Sequence, residues 1–218
     1  MKVFELTRTR RVQTEAERSM VLAVLRSTYV EEKGWAQDVE NMFPAADLAR
    51  NDVSWFLAVK RQQPVGVLRV LYDPPIEQYM AYGLKLTDSS IDIAGLIRNE
   101  RIAEIGRFAV VSERRRGVAV VLSLMRAAVR EIVMRGCTQL VTDVFENDPH
   151  SPLGFHTRVA GFRAVATHET GELRYTGRRI TLLLDIKTAY CALKARGNRF
   201  FRTMTRGWTA TMHNGLAT

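Results

Sequence analysis

The sequence predicts an α/β domain, a mixed central sheet flanked by helices, on two observations. Apolar, β-prone segments at 2–8, 54–60, 65–71, 101–111, 139–145, 162–167 and 179–186 alternate with helical patterns near 15–32, 117–135 and 151–160. Three of those strands, from 54 to 111, follow one another without a long helix between them, which argues for antiparallel pairing and against a dinucleotide-binding parallel sheet.

Each element has its own signal. Residues 2–8 set Val3, Glu5 and Thr7 against Phe4 and Leu6, the period of a first strand. Thr14-Glu15-Ala16-Glu17 has the spacing of a capping box, and Val21, Val24, Leu25 and Thr28 continue one helical face to about Glu32. Gly34, Trp35, Pro44 and scattered acids over 33–52 predict an irregular connection with one or two helical turns. The strands 54–60 and 65–71 flank Arg61-Gln62-Gln63-Pro64, a hairpin connection. After Asp73-Pro74-Pro75 the signal weakens, with helical hints at 76–82 and 91–97. Beyond the strand 101–111, Val118, Val121, Leu122, Met125, Ala128 and Ile132 form an apolar stripe that ends at Gly136. A turn at 171–177 joins the last two strands. The chain reads as one domain over 1–190 with a basic tail over 191–218.

Composition narrows the classes. Of 218 residues, 46% are hydrophobic and 25% charged, the balance of a globular protein. No apolar run approaches the roughly 18–20 residues that span a bilayer, and the charged start lacks a signal core, so a cytoplasmic protein without integral membrane contact is expected. Cys137 and Cys191 have no metal or disulfide spacing, so no metal is expected. The net charge of +9 suits an anionic partner: a phosphorylated cofactor, an acidic protein, nucleic acid or an anionic membrane.

The chemistry concentrates in Ala103-Glu104-Ile105-Gly106-Arg107-Phe108-Ala109-Val110-Val111 and, after Ser112-Glu113, in Arg114-Arg115-Arg116-Gly117-Val118-Ala119. A strand that delivers a basic, glycine-containing turn onto a helix N-terminus makes a phosphate site, because first-turn N–H groups lack helical acceptors and the dipole end is positive.

This segment resembles the acyl-CoA-binding motif of the Gcn5-related N-acetyltransferases, and the strand order resembles that fold. Glu104 to Phe108 is similar to the Glu-x-Ser-Arg-Phe signature of the acyl-homoserine-lactone synthases and the related long-chain N-acyl amino acid synthases. Arg26 followed by Gly34-Trp35, and Gly66-Val67-Leu68-Arg69, also resemble their segments. The resemblance implies an acyl-phosphopantetheine thioester as co-substrate, on acyl carrier protein or CoA, and no tightly bound cofactor. It implies binding of that thioester by Val110, Arg114, Arg115, Arg116, Gly117, Val118 and Ala119. Glu104 is then the base, and backbone donors near Phe108 and Val110 face the oxyanion and the pantetheine. Arg26, Tyr29, Trp35, Arg69 and Arg107 become the substrate-binding residues, with Arg26 and Arg69 as a carboxylate clamp. Glu104 and Arg107 point to opposite faces of a regular strand, so both serve one site only across a bulge, expected at Gly106.

Two departures bear on the acceptor. The lactone synthases carry an aromatic four residues after the Arg, where this chain has Val30 beside Tyr29, and their close acid pair after the Trp is replaced by the spread Asp38, Asp47 and Asp52. The acetyltransferase tyrosine before Gly161-Phe162 is replaced by Thr157, with His156 adjacent. These favour transfer of a fatty acyl group from an acidic acyl carrier protein to an amino acid, ahead of lactone synthesis from S-adenosylmethionine and ahead of acetyl-CoA-dependent acetylation. A binding module of another class, with the tail on a membrane surface or nucleic acid, is the alternative outside catalysis; for the enzyme no nucleic acid is expected.

Overall fold

The computed structural model describes residues 7–115 and 118–217. Strands β1 (Arg8–Arg11), β2 (Val53–Lys60), β3 (Gln63–Tyr72), β4 (Lys85–Leu86), β5 (Ile102–Val110), β6 (Gln139–Phe145), β7 (Arg163–His168) and β8 (Arg179–Asp185) join into one mixed sheet. Its order is β1-β2-β3-β5-β6-β8-β7-β4. By contacts the chain forms two compact units, Met1–Leu71 with Ile105–Glu131 and Tyr72–Glu104 with Ile132–Thr218.

In the first unit, α1 (Glu15–Leu25) starts at the expected capping box: Glu17 N–H donates to Thr14 Oγ1 at 3.2 Å and Thr14 N–H to Glu17 Oε2 at 3.1 Å. The helix continues over Arg26–Glu32 in π-helical form. Two short helices, α2 (Val39–Met42) and α3 (Ala45–Leu48), lie in the irregular connection.

The first strand among the described residues begins where the expected one ends. It is Arg8–Arg11, paired antiparallel with residues 59–56 of β2, and residues 2–6 of the expected strand lie outside the described residues. Its exposed side chains are arginines, the dressing of an edge strand, while Thr9 turns inward to Ser123, Oγ to Oγ at 2.7 Å. The hairpin is tighter than expected. Arg61 and Gln62 alone form the turn, both left-handed at φ 52° and 61°, as a type I′ turn requires. Pro64 is absorbed into β3 by a register shift at Ala58/Val59, which spares the ladder a missing donor.

Helix α6 (Ala119–Met134) is rotated from the stripe read in the sequence. Val118 is 69% exposed and Val121 and Leu122 are half-buried, whereas Val120, Ser123, Leu124, Met125, Ala128 and Ile132 are buried. Ser123 occupies a core position because Thr9 satisfies its hydroxyl, a pairing that hydrophobicity alone does not reveal. Gly66 of β3 allows the close approach: a Cβ there would meet Val120 Cγ1 at 3.0 Å, the Ala109 carbonyl at 3.1 Å and Leu124 Cδ1 at 3.1 Å.

In the second unit, β5 and β6 run parallel through Ile102 with Gln139, Ala103 with Leu140 and Glu104 with Val141. Strands β6, β8 and β7 are antiparallel, and Lys85 and Leu86 pair with Thr167 and Ala166 of β7. The segment after β3 is ordered by β5: Asp73 N–H donates to the Ile102 carbonyl at 2.7 Å, and Ile76, Ile91 and Leu96 pack on Ile102, Val141, Val165 and Leu183. It forms α4 (Ile76–Tyr79), a 3₁₀ turn (Met80–Tyr82) and α5 (Ile93–Asn99). Helix α7 (Leu153–Phe155) continues as a π-helix over His156–Ala160.

Three helices close the chain: α8 (Ile186–Arg196), α9 (Arg199–Met204) and α10 (Ala210–Ala217). Phe201, Trp208 and His213 gather round Tyr190, with ring centroids 5.4, 6.1 and 5.9 Å away. No helix of the described residues is long and apolar enough to cross a membrane.

Gly66→Ala should cost about 1–3 kcal/mol, since the backbone carbonyl of Ala109 and two core side chains must give way. A lowered urea midpoint at unchanged m checks this.

Candidate active site

Strand β5 carries the site, and its regularity fails where the chemistry was expected. The parallel ladder with β6 ends at Glu104, and Arg107 is left-handed at φ 50°. A non-glycine residue in that region is strained, and one such residue breaks the alternation of side chains along the strand. The break thus falls at Arg107 rather than at Gly106, whose φ is ordinary.

Within the first unit, Arg107 and Arg69 are half-buried on β5 and β3, and both guanidinium charges act on the phenol of Tyr29. Tyr29 is 4% exposed, and its pKa is raised because burial outweighs the pull of the two cations. Arg107 also lies 5.2 Å over the Phe43 ring, and Trp35 meets Tyr29 edge-on at 5.5 Å. The Tyr29 carbonyl accepts from the N–H groups of Trp35 and Ala36 at 2.7 and 3.1 Å, so the end of the π-helix itself places the Trp. Tyr29, Trp35, Arg69 and Arg107 thus gather together. Arg26 is not among them: it is exposed and paired with Glu40.

The basic turn divides similarly. Arg115 Nε donates to the Val110 carbonyl at 2.7 Å and its guanidinium forks onto Glu32, with one contact of 2.6 Å. Arg114, Val118 and Ala119 are exposed, and Arg116 and Gly117 lie outside the described residues. Phe108 is half-buried and Val110 buried on β5.

Within the second unit, Glu104 is half-buried and accepts a hydrogen bond from the Tyr79 hydroxyl. Tyr79 stacks on Tyr82 at 6.2 Å, and Tyr82 on His168, also at 6.2 Å. His168 Nε2 lies 3.0 Å from Asp143 Oδ2, and its Nδ1 2.7 Å from the Thr170 carbonyl. Two acceptors for two ring nitrogens suit the imidazolium. Burial pulls the pKa of His168 down, but Asp143 and the Thr170 carbonyl outweigh it and the net shift is upward. The sequence offered no pointer to this group beyond Tyr79 and Tyr82, three residues apart in a weakly patterned stretch.

His156 is 5% exposed between the rings of Phe155 and Phe162, and its Nδ1 has no hydrogen-bond partner among the described residues. Burial lowers its pKa to about 4, so it is neutral near pH 7 and poorly suited to give up a proton. The neighbouring Thr157 hydroxyl donates to the Leu153 carbonyl at 2.9 Å.

Among solved structures, FeeM, an N-acyl amino acid synthase from uncultured soil microbes, superposes with TM-score 0.67 at 17% identity, over 89% of this chain and 99% of its own. A ribosomal-protein-alanine N-acetyltransferase from Brucella melitensis superposes with TM-score 0.58 at 17% identity, over 82% and 99%. The aminoglycoside 6′-N-acetyltransferase of Enterococcus faecium gives 0.55 at 14%, over 82% and 97%. The chain has the Gcn5-related N-acetyltransferase fold. No family profile matches its sequence, and no curated protein matches it significantly.

The buried histidines set opposite pH dependences. For His156 the folded pKa lies below the unfolded value, so its stabilisation is complete above about pH 6.5 and is lost as the pH falls toward 4, by about 3 kcal/mol at the limit. For His168 the folded pKa lies above, so its contribution is present at low pH and lost as the pH rises through that value. His156→Phe should flatten the acid-side loss, read as urea midpoints near pH 7 and near pH 4.5.

Proposed function

We propose that this chain is an N-acyltransferase that moves a fatty acyl group from a phosphopantetheine thioester to the α-amine of an amino acid. The observation that carries this reading is the course of β5. A carboxylate stands where the ladder to β6 ends, and the strand then turns through a left-handed residue before the basic turn and α6. The left-handed residue interrupts the regular alternation of the strand, which suits N–H groups near Phe108 and Val110 to an external acceptor such as pantetheine or an oxyanion. The likeness to an N-acyl amino acid synthase agrees in fold.

In the mechanism, the neutral amine attacks the thioester carbonyl, Glu104 removes the proton that the nitrogen must lose, and N–H groups near Phe108 and Val110 donate to the oxyanion. The C–S bond then breaks, leaving the amide and the pantetheine thiolate, which becomes the thiol by taking a proton from solvent as Glu104 returns to solvent the one it accepted. Arg69 and Arg107 suit the acceptor's carboxylate, since two guanidinium groups concentrate positive charge and present bidentate donors. Exposed Arg114, Val118 and Ala119, at the start of α6, suit the pantetheine phosphate.

As donor we favour an acyl carrier protein over CoA. Lys187, Lys194, Arg196, Arg199, Arg202 and Arg206 are all exposed, and no acid follows Asp185 in the chain. An acidic carrier protein would be steered by such a field. The tail's aromatic rings pack round Tyr190, so a polar protein surface fits better than a bilayer.

Glu104→Gln should lower kcat by about 100-fold or more for N-acyl amino acid formation, followed by product mass with acyl carrier protein and a mixture of amino acids. Unchanged turnover removes Glu104 as base, and a lactone formed from S-adenosylmethionine replaces the acceptor. Reversing charge with Arg199→Glu and Arg202→Glu should raise KM for the acyl carrier protein about tenfold at low salt and leave acyl-CoA turnover unchanged.

A further inference from the structure

Glu104 is a flexible carboxylate at the end of a ladder, and a base in that position must be aimed. Its aim depends on the segment Asp73-Pro74-Pro75, then α4 and its 3₁₀ turn. Three contacts fix that segment. Asp73 is tied to Ile102, two residues before Glu104, by its N–H to the Ile102 carbonyl at 2.7 Å and by the Ile102 N–H to its Oδ1 at 3.3 Å. Ile76 packs on the Ile102 cluster. Gly83, left-handed at φ 72°, closes the turn with its N–H on the Met80 carbonyl at 3.0 Å. Tyr79 therefore ends α4 with its hydroxyl on Glu104 Oε2.

The ring of Tyr79 is held from the other side. It stacks on Tyr82 with 19° between planes, and Tyr82 stacks on His168 with 21°. His168 is pinned at both nitrogens, by Asp143 and by the Thr170 carbonyl, and the Thr170 hydroxyl returns to the Tyr82 carbonyl at 2.8 Å. The loop of contacts thus closes on itself, from β6 and β7 through two rings to the base.

We infer that Tyr79, fixed by its stack on Tyr82 and His168, is a positioning residue that sets the orientation of the Glu104 carboxylate for proton abstraction. The hydroxyl keeps its own proton throughout. By donating to one oxygen it fixes the rotation of the carboxyl group, and so the direction in which the group receives the amine's proton. The inference rests on Glu104 being the base.

The experiment is steady-state kinetics of Tyr79→Phe with the acyl thioester and an amino acid, beside Glu104→Gln. Tyr79→Phe should lower kcat about tenfold while KM for the thioester stays within about twofold, the loss expected when one hydrogen bond to a charged group is removed. A second measurement replaces Tyr79 by fluorinated tyrosines, which keep the ring and the hydroxyl but strengthen it as a donor. A graded change of kcat with donor acidity supports the role; a flat series overturns it, even if Tyr79→Phe is unstable. An inert Glu104→Gln with a fully active Tyr79→Phe overturns the positioning role and leaves the base standing. A fully active Glu104→Gln overturns the base assignment itself.

Discussion

A β-strand inside a sheet spends its backbone groups on its neighbours and has none left for a ligand. In β5 the parallel ladder to β6 covers Ile102 to Glu104, and Arg107 is in a left-handed conformation. Such a conformation costs a non-glycine residue on the order of 1 kcal/mol, so it persists only where the surroundings hold it. Here the guanidinium lies over Phe43 and close enough to Tyr29 to act on its phenol. The side chain that bears the strain is therefore also the one that brings charge to the buried Tyr29 phenol. The same bend that interrupts the strand positions the cation.

Both halves of the chemistry are secured by local devices rather than by bulk packing. In the first unit a π-helical end to α1 aims Tyr29 inward and lets its carbonyl fix Trp35. In the second, the fixed point is the pinned imidazole of His168, from which stacked rings reach Glu104. In each unit the strands supply the scaffold, while it is a connection, the one after α1 and the one after β3, that supplies these residues. Those are the stretches where a fold of this kind can change its acceptor without changing its sheet.

Much of the scaffold was legible in residue patterns, and the exceptions are physical. The capping box at Thr14 and Glu17, the irregular connection and strands β2, β3 and β5 to β8 follow from local signals that tertiary contacts reinforce; β4 does not. The strand at Arg8–Arg11 was not legible because an edge strand of arginines carries no apolar period. The stripe of α6 was rotated because a buried Ser123 satisfied by Thr9 looks polar in sequence. Part of the candidate site was legible too: the Glu104 to Phe108 signature, Tyr29, Trp35 and Arg69 were all named from the resemblance. The tyrosine and histidine behind Glu104 were not, since stacking between residues about 90 positions apart leaves no periodicity to read.

The bend at Arg107 marks the limit of motif reading in a sharper way. Gly106 was the natural place for a bulge, because glycine alone enters the left-handed region without cost. The chain places the strain one residue later. With glycine at the bend, the conformation would be nearly free but the site would lose its guanidinium. With arginine there, the strain is offset by contacts to an aromatic ring, and charge and bend become one property of a single residue.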